Sequence, residues 1–191
     1  MSSVAIVYHS GFGHTKVIAE AIARGANKEN AVLIAVSKEG NIEEDQWELL
    51  NWADAIIFGA PTYMGSVSGA FKMFMDASSK CWFNQTWKDK IAGGFTNSGA
   101  VSGDKLNCLI QLAVFAAQHS MIWIGSDSKS PKHMAPHQPN PDGVNRMGSS
   151  LGLMAQSEND SPENTPPPGD VATAEAYGKR IAAAVERWRS V

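Results

Sequence analysis

Val4-Ala5-Ile6-Val7-Tyr8 followed by His9-Ser10-Gly11-Phe12-Gly13-His14-Thr15 is the stretch on which the fold turns. Apolar, largely β-branched residues make a strand and the Ser/Gly segment makes a turn. Val17, Ile18, Ala19, Ile22, Ala23 and Ala26 then recur at helical spacing. The order strand, loop, helix repeats down the chain. Ala31 to Val36 reads as a second strand, Glu43 to Trp52 as a short acidic-faced helix, and Ala55 to Ala60 as a third strand stopped by Pro61. Ala70, Phe71, Phe74 and Met75 mark another helix. Ile91 to Thr96 is a fourth strand, Lys105 to Gln118 a fourth helix, and Met121 to Ile124 a fifth strand. Such alternation predicts an α/β, doubly wound architecture, a parallel sheet covered on both faces by helices.

From Gly125 to Asp170 the periodicity collapses, and eight of the nine prolines fall between Pro131 and Pro168. The expectation is an excursion loop over 125–170 within one domain spanning 1–191. It packs over the rest as a lid or a subunit contact, or is partly disordered. Asp170 is expected to cap a last helix with Ala174, Tyr177, Ile181, Ala184, Val185 and Trp188 on one face.

Composition narrows the function classes. The 191 residues carry 16 Lys+Arg against 19 Asp+Glu, a net charge of -3, and supply no general field for nucleic acid or an anionic membrane. At this length folding buries roughly 70% of the unfolded chain's surface, so no disulfide or structural metal is needed. No apolar run approaches the ~18 residues of a membrane-spanning helix, and the N-terminal stretch lacks a signal peptide's basic region. Cys81 and Cys108 form no C-x-x-C pair. A cytoplasmic location with reduced thiols is the expectation.

In an open parallel sheet, ligands bind where the loops leaving the carboxyl ends of the strands converge. Three such loops stand out: His9 to Thr15, Pro61-Thr62-Tyr63-Met64-Gly65-Ser66, and Thr96-Asn97-Ser98-Gly99-Ala100-Val101-Ser102-Gly103. All are hydroxyl and glycine loops without a charged side chain. The first joins a strand directly to a helix, so unpaired N–H groups, partial positive charge and the Ser10 and Thr15 hydroxyls suit a phosphate monoester without any lysine. A tight turn with a helix cap explains the same residues. Backbone groups around Asn97 to Gly99 suit the polar edge of a flat ring, with Tyr63 or Phe12 covering a face, although ordinary packing also accounts for both aromatics.

Competing motifs fail on spacing. Gly11-Phe12-Gly13 opens like a dinucleotide fingerprint, but the third glycine position holds Lys16 and no acid ends the second strand. Gly148-Ser149-Ser150-Leu151-Gly152 matches a hydrolase elbow, yet no apolar strand precedes it and no histidine follows. His133 and His137 are four apart but flanked by Pro131 and Pro136, which keeps them off one helix face; no metal is expected. His14 and His119 stand where each reaches the same rim, or serves as a cap or surface histidine. Trp82, Phe83 and Trp87 form an aromatic cluster in an irregular segment after the third helix, suited to core, subunit interface or substrate platform.

The segments Ser10-Gly11-Phe12-Gly13-His14-Thr15, Pro61-Thr62-Tyr63-Met64-Gly65 with Ser68-Gly69, and Ala92-Gly93-Gly94-Phe95-Thr96-Asn97-Ser98-Gly99 together resemble the flavodoxin-like FMN proteins. Among these the chain is most similar to WrbA-type NAD(P)H:quinone oxidoreductases, from Val4 to Trp188. The resemblance implies a five-stranded parallel sheet in the order 2-1-3-4-5. It implies FMN held by Ser10 to Thr15 at the phosphate, Thr62 to Met64 at the ring and ribityl region, and Asn97 to Ser102 at the pyrimidine edge. Pro61, Gly65 and Thr96 belong to the same cofactor-binding loops. The family also implies an aromatic matching Trp82 near the nicotinamide and quinone site, and a catalytic histidine at the end of the fourth helix, where Gln118 and His119 compete. NADH or NADPH would be the donor, a quinone-like molecule the acceptor, and the assembly a homodimer or homotetramer. An FMN electron-transfer protein without a nicotinamide site is the alternative. The chain departs from the family pattern at Tyr63, at Ala100-Val101-Ser102-Gly103 and in the Pro-rich excursion.

Overall fold

The structure, a computed structural model, describes residues 3–27, 29–129 and 142–190. Its elements run β1 (Val4–Tyr8), α1 (His14–Gly25), β2 (Ala31–Ala35), α2 (Glu44–Trp52), β3 (Ala55–Tyr63), β4 (Ser66–Val67), α3 (Gly69–Ala77) and α4 (Ser79–Phe83). There follow β5 (Ile91–Ser98), α5 (Lys105–Gln118), β6 (Ile122–Trp123), β7 (Leu153–Gln156) and α6 (Pro168–Arg189). The sheet order is β2-β1-β3-β5-β6, every neighbour parallel, with β4 folding back antiparallel on β3. This is the flavodoxin-like arrangement.

The central strands β1, β3 and β5 are buried on both faces, which is why they read as continuous apolar runs. Along β1 the side chains alternate. Val4, Ile6 and Tyr8 pack with Ile18 and Ile22 of α1 and Tyr177, Ile181 and Val185 of α6. Ala5 and Val7 face the opposite layer, with Leu50 of α2, Phe71 and Phe74 of α3, and Leu109, Leu112 and Phe115 of α5. Tyr177 ties the first layer to the sheet: its hydroxyl donates to Ile124 O at 2.6 Å and accepts from Gly94 N at 3.2 Å.

Four local readings are corrected. Pro61 does not stop the third strand, since β3 runs on to Tyr63. His9 N donates to Gly59 O, so by the two-residue alternation the N–H that Pro61 lacks also points to the β1 side, where β1 has already ended at Tyr8. The segment around Trp82 is not irregular but a short helix, α4. Within it Trp82 and Phe83 are exposed, whereas Trp87 beyond it is core.

The excursion is the third correction. Its described part contains β7, which pairs with β5 at Phe95 to Ser98, while β6 pairs with β5 at Ile91 and Ala92. The two short strands are thus halves of the fifth strand position, separated by the insertion. Residues 130–141, including His133 and His137, lie outside the described residues. Finally, Asp170 is no cap. Pro167 holds that position, and Asp170 lies in the first turn of α6, buried against Arg146.

Candidate functional site

The carboxyl ends of β1, β3, β5 and β7 surround a cleft of about 360 Å³, within the roughly 300–1,000 Å³ of small-molecule sites. Its floor is the first loop. Ser10 Oγ accepts from Gly13 N at 3.1 Å and Lys16 N at 3.2 Å, curling the chain into α1. Gly13, at φ 94°, adopts a conformation that other residues avoid, and a Cβ there would sit 2.6 Å from Pro162. Among the described residues the N–H groups of Phe12, His14 and Thr15 find no protein partner. They leave a row of donors at a helix start, the arrangement that binds an anion. His9 stands behind the loop, Nδ1 at 2.8 Å from Ser68 Oγ, and burial lowers its pKa.

β3 supplies a second wall. Thr62 Oγ1 lies 2.7 Å from Thr96 Oγ1, a buried pair that fixes the spacing of β3 and β5. The Tyr63 ring crosses over Gly11 and meets Phe12 edge-on, centroids 6.5 Å apart at 68°. Burial raises the Tyr63 pKa, which keeps the phenol neutral. Met64, at φ 48°, is fully exposed on the rim.

The third wall is Asn97, Ser98 and Gly99 at the end of β5. Asn97 Oδ1 accepts from Ser157 Oγ at 3.0 Å, and Gly99 O from Gln156 Nε2 at 3.0 Å. These donors belong to β7 and the loop after it, so the insertion contributes a fourth wall, Ser157 to Asp160. His14 Nε2 donates to Asp160 O at 2.8 Å and pins this wall to the first loop. The Asp160 carboxylate accepts from Ser161 N and Asn164 Nδ2 within its own turn.

The structure therefore brings Gly11, Phe12, His14, Thr15, Pro61, Thr62, Tyr63, Asn97, Ser98 and Gly99 onto one cleft. Ser10 and Gly13 shape its floor from behind, Thr96 is buried under Thr62, and Met64, Gly65 and Ser102 occupy flanking turns. Trp82 and His119 share a different groove between α3, α4 and α5, lined by none of the cleft residues. There His119 is buried between Trp87 and Phe115. Ser78 Oγ donates to Met75 O at 2.7 Å and accepts from His119 Nε2 at 3.0 Å, while Nδ1 is buried and has no partner among the described residues. Burial pulls the ring's pKa down to about 4.

Reading the sequence missed Ser157 to Asp160, because β7 is four residues long and its signal is drowned by Gly, Ser and Pro on either side. The only cue was the apolar Leu153-Met154-Ala155. The elbow-like Gly148 to Gly152 leads into β7 instead of leaving a strand, the reverse of a nucleophile elbow. Among the described residues no group of three or more His, Cys, Asp and Glu is placed to hold a metal, and no helix is long and apolar enough to cross a membrane.

Chemically, the cleft offers neutral donors for an anion at one end and backbone edges with exposed aromatics for a flat ring at the other. The family model for NADPH-dependent FMN reductases matches residues 12–132. A flavodoxin, FldP, of Pseudomonas aeruginosa is 43% identical over 95% of this chain and 96% of its own length. An NAD(P)H dehydrogenase (quinone) of Geobacter sulfurreducens is 31% identical over 64% of this chain and 71% of its own. Among solved structures, a flavodoxin, WrbA-like protein from Agrobacterium tumefaciens superposes with a TM-score of 0.77 at 44% identity, covering 98% of this chain and 99% of that one. With these loops on these strands, the chain belongs to the flavodoxin-like NADPH-dependent FMN reductase family.

Proposed function

We propose that the cleft holds FMN and that the protein is an NAD(P)H oxidoreductase delivering two electrons to a quinone or similarly flat acceptor. The observation that carries this reading is the row of unpaired N–H groups at Phe12, His14 and Thr15, set in one cleft with the backbone edge Asn97 to Gly99. A phosphate monoester fits the first and the heteroatom edge of a ring fits the second. When bound, FMN supplies the hydride-accepting chemistry.

The chain's own residues then do three things. The first loop anchors the phosphate with helix-start dipoles and the Thr15 hydroxyl. Thr62, locked to Thr96, and the Asn97 to Gly99 edge orient the ring. Phe12 and Tyr63 form an apolar rim on which a flat donor or acceptor stacks in turn. The balance is NAD(P)H, one proton and a quinone giving NAD(P)+ and a quinol, so no side-chain nucleophile is required. Trp82 and His119 lie apart from this cleft, and the reading gives them no cofactor contact within one chain.

The test is an absorption spectrum of the purified protein before and after anaerobic NADH or NADPH. Flavin absorbance bleached by pyridine nucleotide and restored by a benzoquinone is the expected result, with parallel-line initial-rate kinetics. The 43% identical flavodoxin favours a second reading, an FMN carrier reduced by a protein partner. Under that reading the flavin absorbance persists in excess NADH and NADPH and bleaches only when a flavodoxin reductase is added.

A further inference from the structure

Lys105, the first residue of α5, is fully buried directly beside the third loop of the cleft. Its Nζ donates to Ser98 Oγ at 2.9 Å and to Ala100 O at 2.5 Å, so the loop from Ser98 to Gly103 closes around an ammonium group. Ser98 and Gly99 line the cleft. A second buried cation stands behind the same wall. Arg146 makes a two-point pair with Asp170 and donates to Gln156 Oε1 at 3.2 Å, while Gln156 holds Gly99 O. Counting charges, Lys105 and Arg146 outnumber Asp170 by one. A buried net positive charge is costly to maintain and needs a reason.

We infer that Lys105 is a positioning residue for the redox step: its ammonium shapes the Ser98–Gly103 loop and places net positive charge behind the ring edge, favouring the reduced cofactor over the oxidised one. The inference rests on the FMN reading and extends it. Neutral backbone dipoles along Asn97 to Gly99 orient the ring but carry no net charge, whereas reduction adds electron density to the cofactor. A fixed cation in a water-poor interior stabilises that density without reorganising. The groups facing Lys105 act in both directions. Asp170 on α6 supports its charge, Arg146 from the insertion opposes it, and burial brings its pKa down to about 8.

The experiment compares wild type, Lys105→Met and Lys105→Arg as full chains loaded with FMN, reading the dissociation constant for oxidised FMN and the midpoint potential by anaerobic spectroelectrochemistry. Lys105→Met should lose about tenfold in preference for the reduced cofactor, a midpoint about 30 mV more negative for a two-electron couple. Lys105→Arg should stay close to wild type. A Lys105→Met protein that binds FMN with an unchanged midpoint, whatever its stability, overturns the inference and leaves the FMN reading intact. A wild type that takes up no FMN removes both. Should Lys105→Met not fold, the wild type decides. Its midpoint against pH should steepen by one proton above pH 8, where the lysine in the oxidised protein loses its charge, and a line without that break overturns the role.

Discussion

Removing Arg146 tests how the insertion is held to the rest of the molecule. Its Nε and terminal nitrogen reach both oxygens of Asp170 at 2.7 and 3.0 Å, with the two side chains 6% and 1% exposed. In Arg146→Met the Asp170 carboxylate keeps the Gln156 N–H at 2.8 Å as its one hydrogen-bond partner among the described residues, and loses the cation that pairs it. Stranding one member of a buried pair costs about 3–5 kcal/mol. With a urea slope near ~2.5 kcal/mol/M, the unfolding midpoint falls by roughly 1–2 M. Replacing both partners, Arg146→Met with Asp170→Leu, should recover part of the loss because neither member of the ion pair is then left without the other. The assay is equilibrium urea denaturation of the cofactor-free protein, followed by circular dichroism. A loss under ~1 kcal/mol for the single variant, or a double variant no better than it, refutes the claim that this pair fastens the insertion.

Four other outcomes are expected. Ser10→Ala strands the N–H groups of Gly13 and Lys16, and should weaken FMN binding by about 1–3 kcal/mol in a fluorescence titration while also lowering cofactor-free stability. Gly13→Ala should cost about 1–2 kcal/mol in urea unfolding from its left-handed backbone alone, before any push against Pro162. His119, with a folded pKa of about 4 against 6.5 unfolded, is charged more readily in the unfolded chain. Stability is therefore full above pH 6.5 and declines by about 3 kcal/mol as pH falls to 4, and His119→Leu should flatten that acid limb of the stability profile. Trp82→Ala should leave the FMN dissociation constant unchanged, because its groove shares no lining residue with the cleft.

How much was legible follows from the range of the signals. The β-α alternation was readable because the central parallel strands are buried on both faces and therefore almost uniformly apolar, as in Val4 to Tyr8 and Ala55 to Ala60. The three loops of the cleft were readable because Ser, Gly and Thr cluster where strands end. Pro61 misled because a proline's effect depends on which neighbour its missing N–H faces, and that is decided by where β1 ends. β7 was missed because four residues carry too little period to rise above their surroundings. Its strand identity comes from pairing with Phe95 to Ser98, a contact nearly sixty residues away in sequence. Lys105 was read only as a helix start, since its burial depends on the loop that wraps it. His119 stood at the predicted helix end, but α5 aims it at Trp87, not at the cleft.

The insertion does more than lengthen a connection. By breaking the fifth strand after Trp123 and resuming it at Leu153, the chain places Gln156 and Ser157 at the end of β5, where they fasten Gly99 and Asn97. It continues into Asp160, which receives His14 from the first loop, and Pro162, which packs on Gly13. Arg146 anchors its middle to α6. One inserted segment thus touches two of the three loops that the sequence marked as chemical, through contacts that each constrain backbone geometry. Loops of Ser and Gly are otherwise the most mobile part of such a sheet. Their positions here are set by partners that arrive late in the chain, so loosening the insertion should widen the cleft before it unfolds the sheet. Hydrogen exchange of the Arg146→Met protein should accordingly rise first at Asn97 to Gly99 and at Phe12 to Thr15, with the β1 amides last. Uniform acceleration across the sheet would show instead that insertion and core open as one unit.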